Sequence, residues 1–231
     1  MIEVIGHRGA AGLEPENTLR SVRRAIELGV DRVEVDVRVS RDGRLVIMHD
    51  ETVDRTTNGH GYVRELTLNE LRSLDAGMGE KIPTLEEILE FTMGKAKLEI
   101  EIKVPEATEP TVQLLNELNA EKDVIVISFL HELLEKAYDL NPNIKTGALF
   151  FDVPKDILQR ALKVHANSIH VYYRNVNSEL IKGAHRSGLE VAVWNPNRIE
   201  EMRKMIGLGV DAIGSDRPDV LIQLLRDMGL R

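Results

Sequence analysis

The sequence predicts an α/β chain closed as a (β/α)8 TIM barrel, with a β-hairpin and a small insertion after its second strand. Three observations carry this prediction. Short β-branched runs alternate with amphipathic helical patterns almost from end to end, the signature of βαβ units. The runs number about eight, the number that closes a barrel, and a chain of 231 residues suits one barrel of the usual size, about 250 residues. Two neighbouring runs alternate valine or isoleucine with charged residues, a pattern that a sheet sheathed in helices can accommodate only toward its lumen.

Taken in order, strand 2–6 (IEVIG) leads into a first helix, with Asn17 or Thr18 as its N-cap and Gly29 at its end. Strand 32–39 (RVEVDVRV) then meets Asp42-Gly43, a hairpin signal, and returns antiparallel as RLVIMHD. Residues 51–82 are too long for a βα loop; they are expected to form a small insertion on the C-terminal rim, with a short helix boxed by Thr67 and Glu70. Thr84 and Glu87 box the next helix. Strands 97–104, 123–128, 144–149, 168–172, 189–194 and 210–214 complete the barrel, and Gly188 and Gly209 stand where later helices stop. No repeat is visible beyond this rhythm, so residues 1–231 read as a single domain.

Composition narrows the function. Thirty Lys and Arg against 38 Asp and Glu, a formal charge of −8, argue against nucleic acid and against an anionic membrane surface. An anionic substrate would need local positive charge. The absence of cysteine excludes disulfides, thiolate nucleophiles and cysteine-bound metals. No apolar run approaches a membrane span, so no stable membrane insertion is expected. Met1 leads straight into a strand rather than a leader, so the expectation is a chain that starts here and works in the cytoplasm.

In RVEVDVRV, Val33, Val35 and Val37 take one face and Glu34, Asp36 and Arg38 the other. Helices require apolar partners, so the carboxylates face the lumen, toward the C-terminal ends where barrel chemistry sits. The run 97–104 repeats the pattern with Glu99, Glu101 and Lys103. Acids gathered in one low-dielectric mouth repel each other unless a cation lies between them. All-oxygen ligands favour a hard divalent ion, Mg²⁺, Ca²⁺ or Mn²⁺. If Asp42-Gly43 is a two-residue turn, His49 lies opposite Asp36 and shares its face; a three-residue loop reverses that parity. The first strand ends in IGHRG, bringing His7 and Arg8 to the same rim. A metal, Arg8 and Lys103 can offset phosphoryl charge, and His7 and His49 suit the acid and base of a displacement at phosphorus.

The pieces HRGAAGLEPENT, EVDVRVSRDGRLVIMHD with DRTTNGHG, IEIK, VAVWNPN and GVDAIGSDRPD stand in order along nearly the whole chain. Together the set resembles the glycerophosphodiester phosphodiesterase family, a phosphatidylinositol phospholipase-like barrel. The resemblance implies metal-dependent hydrolysis of a small glycerophosphodiester to an alcohol and sn-glycerol 3-phosphate. It further implies Glu34, Asp36 and Glu101 as ligands of one divalent ion, and His7 and His49 as the acid/base pair. Arg8 and Lys103 match phosphate-binding positions, Trp194 a position near the substrate, and Glu16 a supporting acid that holds Arg8. The implied route passes through a cyclic glycerophosphate. Asn195 and Ser215 stand where the family usually has threonine, which bears on the choice of alcohol.

Plainer readings stand beside these. A two-faced, half-solvated sheet would explain the alternating acids, but the βα rhythm leaves no solvated face. Glu99, about one layer deeper than Glu101, reads as the partner of a buried base. Asn17 and Asp216 read as helix caps, Trp194 as rim packing or substrate contact, and His60, His131, His165, His170 and His185 as structural or superficial. The rival functions are a non-catalytic barrel that binds a phosphorylated metabolite and a metal-independent phosphoinositide phospholipase; the paired histidines speak against the first and the acidic trio against the second.

Overall fold

The computed structural model describes residues 2–231, so Met1, on which the reading of the chain's start depends, lies outside it. The strands are β1 (Glu3–Gly6), β2 (Arg32–Val39), β3 (Leu45–Ile47), β4 (Lys97–Ile102), β5 (Val124–Ser128), β6 (Lys145–Phe150), β7 (Ser168–Tyr172), β8 (Glu190–Trp194) and β9 (Ala212–Ser215). They order as β1-β9-β8-β7-β6-β5-β4-β2-β3, and a further β1–β2 pairing closes a parallel barrel of eight strands with β3 as the extra, antiparallel one. Helices α1 (Leu19–Leu28), α3 (Leu85–Thr92), α4 (Thr108–Leu118), α5 (His131–Leu140), α6 (Ile157–Lys163), α7 (Ser178–Arg186), α8 (Ile199–Leu208) and α9 (Pro218–Asp227) follow the barrel strands. Helix α2 (Leu68–Ser73) belongs to the segment after the hairpin. Among the described residues, no helix is long and apolar enough to cross a membrane.

The outer core forms where the sequence pattern requires it. Val33, Val35 and Val37 of β2 and Ile100 and Ile102 of β4 are buried with Val22, Ile88 and Leu115 of the surrounding helices. The lumen is divided. On the β5–β6 side it is apolar, with Ile125, Ile127 and Leu149, and under β1, β8 and β9 it holds Ile5, Ala192 and Ala212. On the β2–β4 side it is charged. At its lower end Arg32 pairs with Glu99 and Glu190 at 3.1 Å each and with Glu3, so Glu99 is indeed the partner of a buried base.

Local signals hold in most places. Thr18, not Asn17, caps α1 by accepting from the Ser21 amide, and Gly29 ends that helix at φ 90°. Both predicted capping boxes, Thr67 with Glu70 and Thr84 with Glu87, are present. The hairpin differs. The ladder pairs Val37 with Ile47, Arg38 with Val46 and Val39 with Leu45, one residue off the register of a two-residue turn. Ser40 and Arg44 close a three-residue loop with Gly43 at φ 77°. Asp36 therefore lies level with Met48, whose amide bonds the Asp36 carbonyl at 2.9 Å, and not with His49.

Residues 51–82 fold as a lobe against β3. Val46 and Met48 pack with Val53, Val63, Leu71, Ala76 and Ile82 in an apolar cluster separate from the barrel's. A bridge between Thr52 and Tyr62 and the helix α2 give the lobe its frame.

Candidate active site

The mouth lies at the C-terminal ends of β1, β2, β4 and β9, as expected for a barrel of this kind. Glu34, Asp36 and Glu101 are buried there, and each offers a carboxylate oxygen within 4.8 Å of the others. Asp36 and Glu101 are neighbours in the β2–β4 register, as are Glu34 and Glu99. Glu34 and Glu99 diverge: Glu99 turns down to Arg32, whereas Glu34 Oε2 accepts the Arg8 amide at 2.9 Å at the rim.

The first β–α loop is shaped to make that contact. Arg8 and Asn17 both take left-handed backbone conformations, φ 49° and 57°, at its two ends. Gly9, at φ 85°, lies so close to Ser21 of α1 that a Cβ would collide with it. Asn17 is not a cap. Its side-chain amide donates to Asp36 Oδ2 at 2.8 Å and its carbonyl oxygen accepts from the Asp36 amide at 3.3 Å.

Each histidine is braced by an aspartate. His7 Nδ1 lies 2.6 Å from Asp216 Oδ1, and Asp216 Oδ2 accepts from Asn197 at 2.6 Å. Asp216, read from the sequence as a cap, thus holds a ring in place; the residue flanking α9 is Arg217. His49 Nδ1 lies 2.6 Å from Asp50 Oδ1. With Nδ1–H donated to a carboxylate, Nε2 is left as the free nitrogen in each ring. His49 reaches the mouth despite the shifted register because β3 ends at Ile47 and the chain bends beyond the ladder. Its carbonyl is held by Arg38 Nε at 2.9 Å.

Positive charge sits among the acids. Lys103 Nζ lies 2.6 Å from Glu101 Oε1 and 3.0 Å from Asp36 Oδ1. Arg8 Nη1 donates to Glu16 Oε1 at 2.7 Å, and its Nε is 3.3 Å from Asp36 Oδ2. Burial alone would raise every carboxyl here. For Asp36 the Lys103 and Arg8 charges outweigh burial and lower its pKa to about 2. Glu101 is raised to about 7 by burial and by Asp36, and Glu34 is raised well above its ordinary value by burial, Asp36 and Glu101. Burial lowers the pKa of His49.

The donor set fits a hard divalent ion. Glu34 Oε1 is buried without a hydrogen-bond donor among the described residues, and two of the three acids are pushed toward holding protons. A cation bound between them would satisfy both conditions.

These groups border a cavity of about 120 Å³ that His7, Arg8, Glu34, His49, Glu101, Lys103 and Trp194 all line. Trp194 packs edge-on against Phe129, at 5.7 Å between ring centroids, and near Tyr172 at 5.2 Å, so it is both rim packing and cavity wall. Asn195 presents a buried Oδ1 with no hydrogen-bond partner among the described residues, and Ser215 Oγ donates to the Pro196 carbonyl at 2.9 Å. His170 lines the lower cavity beside Ser168 and Glu99. His60 and His185 pair with Asp54 and Asp211, His165 stacks on Tyr138, and His131 bonds the Leu149 carbonyl, all outside this cavity. Sequence reasoning missed Asp50, Asn17 and Asp216 as site residues. For Asp50 the available signal was its place directly after His49.

A closed barrel whose mouth gathers acids, imidazoles and fixed cations is the frame of a barrel hydrolase. Residues 7–220 match the model of the glycerophosphoryl diester phosphodiesterase family, and the chain belongs to that family. By activity it is a phosphoric diester hydrolase acting on glycerophosphodiesters. It is 41% identical over 239 residues to a glycerophosphodiester phosphodiesterase of Caldanaerobacter subterraneus subsp. tengcongensis, covering 98% of each chain. Among solved structures it is similar to an Oleispira antarctica phosphodiesterase in complex with the product sn-glycerol-3-phosphate, with TM-score 0.91, 29% identity and coverage of 97% and 96%. It is also similar to a glycerophosphodiester phosphodiesterase of Thermotoga maritima, with TM-score 0.86, 30% identity and coverage of 97% and 98%.

Proposed function

We propose that this enzyme releases sn-glycerol 3-phosphate and an alcohol by histidine acid/base catalysis, through a cyclic glycerophosphate. The observation that carries the reading is the pair of carboxylate-braced imidazoles, His7 and His49, on one cavity that Glu34 and Glu101 of the acidic trio also line. In this reading the barrel and the lobe of residues 51–82 act as one domain. The Oleispira relative's bound product supports the choice of sn-glycerol 3-phosphate.

Glu34, Asp36 and Glu101 would hold one divalent ion, Mg²⁺, Ca²⁺ or Mn²⁺, which would supply positive charge against the phosphoryl oxygens. Arg8 and Lys103 add fixed charge to the same oxygens. His49, whose pKa burial lowers, takes the proton of the glycerol 2-hydroxyl as that oxygen attacks phosphorus. His7, entering this step with a second proton on Nε2, gives that proton to the leaving alkoxide as the phosphorus–oxygen bond breaks, and Nδ1–H stays bonded to Asp216. In the second half His7 takes a proton from water, which attacks the cyclic ester, and His49 returns its proton to the 2-oxygen. Asp216 and Asp50 fix the two ring orientations, Glu16 holds Arg8, and Trp194 with Phe129 forms the wall that meets the alcohol.

The test is a product assay over glycerophosphocholine, glycerophosphoethanolamine and glycerophosphoinositol, with metals added back singly to chelated enzyme. Glycerol 3-phosphate should appear only with metal, and full turnover in metal-free enzyme would remove the ion's role. His7→Ala and His49→Ala should each lower kcat by at least about 10²-fold with the fold intact; wild-type rates would reject the acid/base assignment.

A further inference from the structure

The lobe contributes a residue that neither the fold nor the proposed chemistry yet accounts for. The Arg55 guanidinium donates to Asp50 from Nε at 2.7 Å and Nη2 at 3.0 Å. It also donates to Glu16 from Nη1 and Nη2, at 2.8 Å each. Asp50 is the partner of the His49 ring, and Glu16 is the partner of Arg8. One planar cation thus spans two carboxylates on separate segments, one in the loop after β1 and one after β3. We propose that Arg55 is a positioning residue that sets His49 through Asp50 and Arg8 through Glu16; this rests on the roles proposed above for His49 and Arg8.

Arg55 is about half exposed, and exposed ion pairs add little to stability. A purely stabilising role therefore explains four directed hydrogen bonds poorly. Geometry explains them better. A guanidinium has a rigid fork of donors that matches carboxylates in its plane, so two carboxylates bound to it are fixed in direction as well as in charge. The arrangement continues as an alternating chain of charges, from Asp50 through Arg55, Glu16, Arg8, Asp36 and Lys103 to Glu101. The lobe anchors the brace: Val53, two residues before Arg55, is buried in the lobe's own cluster, and Thr56 Oγ1 lies 3.4 Å from Met48 Sδ. The His49 main chain is held by the barrel through Arg38, and its ring by the lobe through Asp50 and Arg55.

The experiment compares kcat and KM of metal-saturated Arg55→Met, Asp50→Asn and Glu16→Gln enzymes on one glycerophosphodiester, with His49→Ala as reference. Asp50→Asn cuts only the His49 arm and should lower kcat with KM kept. Glu16→Gln cuts only the Arg8 arm and should raise KM with kcat kept. Arg55→Met should do both, each by about tenfold, the usual scale for losing a partner that orients a site group. Arg55→Lys, which keeps the charge but not the fork, should resemble Arg55→Met. In a His49→Ala background Arg55→Met should lower kcat no further. Wild-type constants for Arg55→Met and Arg55→Lys beside an impaired His49→Ala enzyme would overturn this inference alone. A wild-type rate for His49→Ala would overturn the acid/base reading as well. Equal kcat and KM losses in all three single variants would mark a general structural effect and reject the two-armed role. If Arg55→Met does not fold, the split between Asp50→Asn and Glu16→Gln decides.

Discussion

Glu34 and Glu99 stand level on adjacent strands and meet opposite fates: one turns to the rim, and the other pairs with a buried arginine below. Parity along β2 and β4 made both legible as lumen residues, but parity says nothing about which way along the barrel axis a side chain leans. Cation supply settles that, since Arg32 waits beneath Glu99. The cost of the acids left at the rim has a measurable sign. Burial and like charge raise Glu101 from 4.5 to about 7, and Glu34 moves the same way. Between roughly pH 5 and 7 the folded, metal-free chain therefore holds protons that the unfolded chain has released. Its stability should fall as pH rises through that window. Asp36, lowered from 3.8 to about 2, contributes the opposite slope, but only below about pH 4. A divalent ion should replace those protons and flatten the upper slope, with affinity rising with pH and protons released on binding. Melting curves from pH 5 to 8, with chelator and with Mg²⁺, check this; identical slopes would reject the acidic trio as an ion site. Glu34→Gln should weaken metal affinity while the barrel stays folded, and titration calorimetry showing unchanged affinity would exclude Glu34 as a ligand. Asn17 and Asp216 escaped the sequence reading for a chemical reason. A short polar side chain just before a helix serves equally as a cap or as a partner reaching across a cavity, and only the tertiary structure distinguishes them.

The hairpin shows where element-level signals are overridden. Asp-Gly suits a two-residue turn, yet Asp42 is engaged elsewhere: it accepts from Ser40 Oγ at 2.7 Å and from the Leu68 amide, at the start of α2, at 2.9 Å. Ser40 Oγ also accepts the Arg44 amide at 2.9 Å. These bonds favour the three-residue loop with Gly43 left-handed, and they tie the hairpin tip to the lobe. Of the two registers the sequence leaves open, the three-residue one forms, and His49 reaches the mouth through the bend beyond the ladder rather than by pairing opposite Asp36. Gly43 has open space where a Cβ would go, so Gly43→Ala should cost only the left-handed conformation, about 1 kcal/mol. Denaturant melts should show that loss with turnover unchanged; a large fall in turnover would mean that the loop sets the site after all. Elsewhere the strand bounds read from the sequence agree with the structure to within a residue or two, because β-branched alternation and helix caps are local signals that the barrel reinforces.

The molecule as a whole combines an apolar outer core, legible from periodicity, with a lumen that is apolar on one side and charged on the other, legible only once the barrel was assumed. What the sequence could not convey was the lobe's relation to the mouth, because that relation runs through a few long-range ion pairs with no periodic trace. The lobe rests on a small apolar cluster of its own, and the barrel on a much larger one. Units of unequal support open at unequal free energies. On warming, the lobe should loosen first, and with it the grip on the imidazole ring, while Glu34, Asp36 and Glu101 stay seated in the barrel. Turnover should then decline at temperatures where far-UV circular dichroism is still native and recover on cooling. Loss of turnover that simply tracks unfolding would show that lobe and barrel melt together. Such a chain would carry a built-in reversible thermal shut-off, set by the weakest part of its architecture rather than by its most stable one.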